Sequence, residues 1–94
     1  MAEQGPSPEQ QQEMAAMQQV FESIQPTMDN LQEAMQSGDP ERIKAALEKL
    51  KELIEKLKEI AANEALPQEA RQQAGQVAMQ LEQQFNQVQG QLEG

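Results

Sequence analysis

One segment near the middle of the chain, Asp39–Ala62, constrains the fold more than any other part of the sequence. Its apolar residues recur every three or four positions, which is the spacing of one face of an α-helix. The face takes up about three positions in every seven, more than the seam of a two-stranded coiled coil, so two neighbours must cover it. Its members are Ile43, Leu47, Leu50, Ile54, Leu57 and Ala61, widened by Ala46, Leu53 and Ile60.

The ends of this middle helix, predicted over 40–62, are marked by the sequence. Asp39 is a favourable N-cap, and Pro40 suits the first helical position because its missing N–H has no helical partner there. Asn63 is expected to end the helix in the left-handed conformation. Charges of opposite sign four residues apart predict ion pairs on the solvent face. These pairs are Lys44–Glu48, Lys51–Glu55 and Glu52–Lys56.

A first helix is predicted over 8–37, with Ser7 as its N-cap and Gly38 as its left-handed stop. Its apolar residues alternate at spacings of three and four, which makes one continuous stripe. The stripe consists of Met14, Met17, Phe21, Ile24, Met28, Leu31 and Met35. Residues 1–6 are predicted to form a disordered tail.

Pro26 lies inside this first helix and outside its stripe. A proline in a helix interior removes a hydrogen bond and bends the helix. The stripe keeps its phase across Pro26, which favours a kinked but continuous helix. A full break, with Thr27 capping a new helix, is the competing interpretation.

A third helix is predicted over 67–92, beginning at Pro67. Small residues near Gly75 predict a close approach to a neighbouring helix, and Gln84 and Gln91 are expected to point outward. The short connections make the helices antiparallel neighbours. The predicted fold is therefore all-α, one up-down-up three-helix bundle over residues 7–93, with no strand.

The composition excludes several classes of function. The chain has no cysteine and no histidine, so the commonest general base and the commonest zinc ligands are missing. A net charge of −9 argues against binding nucleic acid or an anionic membrane, because both require a basic surface. No cofactor is expected. The first residues show no basic and apolar signal-peptide pattern, so a cytoplasmic protein is expected.

The side chains that could carry catalysis or hold a metal lie off the apolar stripes. Carboxylates four residues apart, such as Glu9/Glu13 and Asp29/Glu33, read as solvated helix surface rather than as metal ligands. A serine nucleophile would need a lysine base, and the lysines are all on the exposed face of the middle helix. The sequence predicts no enzyme and no metal site.

Methionines give the first helix an unusual apolar face. Met-rich faces adapt to varied partners, although most stripes at helical spacing are core. A partner helix, or a second copy of the chain, would contact this face where the long first helix extends past its neighbours. The candidate partner-binding residues are Met14, Met17, Phe21, Met28 and Met35.

The stretch GDPERIKAALEKLKELIEKLKEIA resembles the helices of computationally designed bundles, with a glycine stop, an Asp-Pro start, and Leu and Ile beneath Glu and Lys. The glutamine-rich outer helices match that style only loosely. The resemblance implies an engineered or de novo scaffold without catalytic activity. The alternative is a protein–protein interaction module that uses the Met-rich face.

Overall fold

The computed structural model describes residues 8–93, which form three helices joined in antiparallel, up-down-up order. Helix α1 spans Pro8–Ser37, α2 spans Pro40–Ala62 and α3 spans Gln68–Glu93. No strand occurs among these residues. The predicted all-α three-helix bundle is confirmed, with each helix end within one residue of its expected place. The expectations for Ser7 and for the tail 1–6 lie outside the described residues.

The connection between α1 and α2 follows the expected chemistry of helix ends. Gly38 adopts φ 73°, the left-handed region that favours glycine, and its N–H donates to the Met35 carbonyl at 3.2 Å. Asp39 is extended, and its Oδ1 accepts the N–H of Glu41 at 3.0 Å. Pro40 then occupies the first helical position. Both the glycine stop and the aspartate cap are confirmed.

The connection between α2 and α3 departs from expectation at Asn63. Its backbone is extended, with φ −85° and ψ 106°, so the predicted left-handed cap is wrong. The Asn63 side chain forms the turn instead, because its Oδ1 accepts the N–H of Ala65 at 3.0 Å. Leu66, which follows, is 3% exposed and closes this end of the core.

Helix α2 is the centre of the core. Its Leu50 and Leu57 are fully buried, so the apolar face of α2 is covered by both outer helices, as the sequence predicts. The other buried residues of α2 are Ala46, Leu47, Leu53, Ile54 and Ile60. Helix α3 buries Ala74, Ala78, Leu81 and Val88 along most of its length.

Helix α1 is held less completely than α3. Its fully buried residues are Leu31 and Ala34, both in its last third. The rest of its stripe packs against the core and is partly buried, except Met35, which is exposed. The reason is the spacing of the outer helices: in the described part of the chain, no Cα atom of α1 lies within 8 Å of a Cα atom of α3. We call the space between these two helices the α1–α3 gap.

The structure tests two predictions about the backbone, one at Pro26 in α1 and one at Gly75 in α3. Helix α1 continues through Pro26, so the interpretation with a break at Thr27 is wrong. Helix α3 approaches α2 at Gly75, but not so closely that glycine is required. A Cβ atom placed there would lie 3.8 Å from the Cβ of Ala61, which is ordinary van der Waals contact.

The surface charges of α2 pair differently from the prediction. Among the described residues, the salt bridge present joins Lys58 Nζ to Glu82 Oε2 of α3 at 2.8 Å. The three pairs predicted within α2 do not form. Both partners of the observed bridge are largely exposed, so its contribution to stability is small.

Candidate functional site

A groove runs between α1 and α2 on the side of the bundle that faces away from α3. Contacts of Lys58 and Ala61 with α3 fix that helix on one side of α2. The groove lies on the other side, with a volume of about 590 Å³. Its walls include Ala16, Val20 and Ser23 of α1 and Lys49, Leu53, Lys56 and Ile60 of α2.

The groove has an apolar floor and a rim of mixed charge. Val20, Leu53 and Ile60 contribute apolar surface, whereas Glu13 and Lys56 bring opposite charges to the rim. The Ser23 hydroxyl donates to the Gln19 carbonyl at 2.8 Å, a bond within its own helix, so no base engages it. No group of three or more acidic side chains within residues 8–93 is placed to hold a metal ion.

Two hydrogen bonds tie the start of α1 to the loop at one end of the groove. The Asn63 Nδ2 donates to the Glu13 carboxylate, and the Gln10 Nε2 donates to the Ala65 carbonyl at 2.9 Å. The first turns of α1 therefore lie beside the α2–α3 loop. We call these two bonds the N-terminal clasp. Sequence reasoning missed the clasp, because it joins residues fifty or more positions apart.

Four of the five predicted partner-binding residues repeat every seven positions along α1, and Met17 lies outside that repeat. Met17 lines the groove beside α2. The other four lie seven residues apart, so each lies about 20° round the helix axis from the one before, and the last of them is on the same side of the helix as Met17. We call these four the Met/Phe row: Met14, Phe21, Met28 and Met35. The first three are half-buried and Met35 is 39% exposed.

The first half of the Met/Phe row faces the α1–α3 gap. The groove edge of α1, marked by Ala16, Val20 and Ser23, points away from α3. On a helix with about 3.6 residues per turn, Met14 and Phe21 lie on the other side of the α2-facing surface, toward α3, and the row turns toward α2 by Met28 and Met35. Across the gap α3 contributes the half-buried Val77 and the exposed Gln84. Gln91 is exposed too, so the outward placement predicted for both glutamines is confirmed.

The borders of the Met/Phe row are polar and acidic. An adjacent row of exposed glutamines, again seven apart, comprises Gln11, Gln18, Gln25 and Gln32. Beyond it lie the exposed acids Glu22, Asp29 and Glu33. The Gln25 Nε2 donates to Asp29 Oδ1 at 3.2 Å. No lysine or arginine occurs before Arg42, so α1 brings only negative charge to this surface.

Arg71 was not singled out by sequence reasoning. It is the one basic residue of the chain outside α2. Its Nε is buried and has no hydrogen-bond partner, although the side chain as a whole is half-exposed. Arg71 lies four residues before Gly75 and eleven before Glu82, which places it on the edge of α3 that faces α2, away from the Met/Phe row.

None of α1, α2 and α3 combines the length and the apolar character needed to cross a lipid bilayer.

Comparison with known proteins gives a family match. The model of a family described as "Sporulation delaying protein family toxin" matches residues 1–89 of the chain. The searches of curated proteins and of solved structures gave no match.

This match overturns the expectation of a designed bundle, and with it the predicted function of an engineered scaffold. The resemblance of Gly38–Ala61 to designed helices has a physical origin that natural chains share. Leu and Ile beneath alternating Glu and Lys, with an aspartate cap and a glycine stop, stabilise an amphipathic helix in natural and designed chains alike.

Proposed function

Because the chain belongs to the sporulation delaying protein toxin family, we propose that it is a toxin that delays sporulation by binding a protein target. The observation that carries this proposal is the family match, which spans residues 1–89. The fold contributes a rigid centre, α2, and an outer helix, α1, whose apolar side chains are partly available.

Binding rather than catalysis is supported by the side chains at hand. With no histidine or cysteine, a catalytic site would depend on serine, lysine and carboxylates. The serine beside the groove, Ser23, bonds to the backbone of its own helix, and Ser37 does the same to the Ala34 carbonyl at 2.6 Å. Neither hydroxyl is held by a base.

The Met/Phe row is the proposed contact surface. Aromatic residues and methionine are enriched in the buried centres of protein interfaces, where they fill pockets without a cost in charge desolvation. The row offers one phenylalanine and three methionines along one edge of one helix, bordered by polar side chains. A buried centre with a polar rim is the usual arrangement of an interface.

The toxin function is tested in a spore-forming bacterium. One culture produces the chain from an inducible promoter, and a second receives the purified protein in the medium. Viable cells and heat-resistant spores are counted through starvation. The matched control is Leu57→Asp, which places a charge at a fully buried position of α2 and unfolds the bundle.

The folded chain is expected to lower viability or postpone spore formation in at least one of the two cultures, and Leu57→Asp is expected to do neither. The proposal fails if the two chains, at equal amounts, are indistinguishable in both cultures. Circular dichroism of the purified proteins verifies that only the control has lost its helices.

A further inference from the structure

We propose that the partner of this chain is a positively charged amphipathic helix, which lies along the Met/Phe row over the α1–α3 gap. This inference rests on the proposed function, since it names the partner of the same surface. It follows from three features of the described residues: the partly buried apolar row, the sign of the charges beside it, and the length of the row.

The charges of α1 indicate that the partner should be positively charged. Helix α1 carries Glu9, Glu13, Glu22, Asp29 and Glu33 and no base. On the other side of the gap, the one basic residue of α3, Arg71, lies on the edge that faces α2. Lysines or arginines at the border of a docked helix would therefore meet only carboxylates and glutamine amides, which steers association and fixes the register.

The length and the seven-residue repeat of the Met/Phe row indicate that the partner is a helix. From Met14 to Met35 the row advances 21 residues, or about 31 Å at 1.5 Å per residue. Its repeat of seven is the repeat with which two packed helices present side chains to each other. A partner helix of about 20 residues with its own apolar stripe would match the row from end to end.

The same charges argue against a second copy of the chain. Two copies meeting through their rows would bring two α1 helices together, each with five acids and no base. Each chain carries a net charge of −9, and like charges beside an interface cost free energy. A basic partner removes that repulsion.

The test uses synthetic helical peptides of about 20 residues, long enough to span the row. One has leucine at heptad positions a and d and lysine on its other faces. A second replaces every lysine by glutamate, and a third has the composition of the first in scrambled order. Binding to the full chain is measured by titration calorimetry, and sedimentation reports any self-association.

The basic amphipathic peptide is expected to bind one chain, with an affinity that falls as the ionic strength is raised toward about 0.5 M, because salt screens the charges. The acidic peptide is expected not to bind, and the scrambled peptide to bind at least about tenfold more weakly because it has no apolar stripe.

Two matched pairs of variants locate the surface. Phe21→Ala should weaken binding at least about tenfold, whereas Phe85→Ala, on the α2–α3 side, should leave it unchanged. Neutralising Glu22 and Asp29 to Gln and Asn should weaken binding and flatten its salt dependence. Changing Glu55 and Glu64, which are exposed away from the row, to glutamine should neither weaken binding nor alter its salt dependence.

The inference is overturned if the scrambled or acidic peptide binds as well as the first, if both neutralised variants behave alike, or if the chain self-associates instead. The toxin proposal is judged separately. A chain that delays sporulation but ignores the basic peptide has a different partner, and a chain that binds the peptide without any effect on cells is not a toxin.

Discussion

At the scale of single residues, the three described glycines have different roles. Gly38 has φ 73°, where a side chain is strained, whereas a Cβ atom at Gly90 meets nothing within 4 Å and one at Gly75 meets only Ala61 at 3.8 Å. Gly75→Ala and Gly90→Ala should each raise the free energy of unfolding by about 0.5–1 kcal/mol, because alanine favours helix. Gly38→Ala should lower it by about 1 kcal/mol. Urea denaturation measures all three, and stabilisation by Gly38→Ala would contradict the assigned turn.

Asn63 joins the α2–α3 turn to α1. Its side chain accepts the Ala65 N–H and donates to Glu13. Asn63→Ala removes both bonds and should lower the free energy of unfolding by about 1–2 kcal/mol. Asn63→Asp keeps the turn but sets a carboxylate against Glu13, so it should also destabilise, and adding Glu13→Gln should recover part of that loss. If the second change recovers nothing, the contact with Glu13 does not contribute to stability.

At the scale of the helices, α1 is expected to be the first to open. Its fully buried residues are confined to its last third, and its beginning depends on the N-terminal clasp. Backbone amides of α1 before Leu31 should therefore exchange with deuterium sooner than those of α3, and those of α2 should exchange last. Asn63→Ala should accelerate exchange at the start of α1 alone. Faster exchange in α3 than in α1 would contradict this order.

The sequence predicted the helices well because their ends are marked by local chemistry. Pro8, Asp39 with Pro40, and Gly38 each act within a few residues of the chain, and apolar spacing shows which face of a helix is buried. The outward placement of Gln84 and Gln91 follows from the same periodicity.

The distances between helices could not be predicted in this way. The stripe of α1 reads as core, yet most of it is only partly buried, because no Cα atom of α3 lies within 8 Å of a Cα atom of α1. That separation depends on how the side chains of three helices fill space together, which no local pattern contains. The extended backbone of Asn63 and the clasp have the same origin, since both involve contacts distant in sequence.

At the scale of the whole molecule, stability depends on the core around α2. Leu50 is fully buried between the outer helices, so Leu50→Ala should lower the free energy of unfolding by about 2–5 kcal/mol. Met79, 64% exposed on α3, provides the comparison, and Met79→Ala should change it by less than about 0.5 kcal/mol. Equal effects in urea denaturation would mean that α2 is not the centre of the fold.

The family of the molecule was the feature least accessible from its sequence alone. The surface of α2 reflects the requirements of a stable helix, which natural and designed chains share. For this reason it led to the wrong prediction of a designed protein. The candidate site fared differently. Four of the five residues predicted to bind a partner form one row on α1 that begins beside the α1–α3 gap, and their role as a contact surface stays a prediction.

The central proposal is that the chain delays sporulation through the Met/Phe row. The direct measurement compares Met28→Gln, in the middle of the row, with Met79→Gln, on an exposed edge of α3, in the spore-count assay. Both variants are first verified to be folded by thermal denaturation. Met28→Gln is expected to need at least about tenfold more protein for the same delay, and Met79→Gln no more than the unaltered chain. A folded Met28→Gln with full potency, or an equal loss in both variants, would contradict the account.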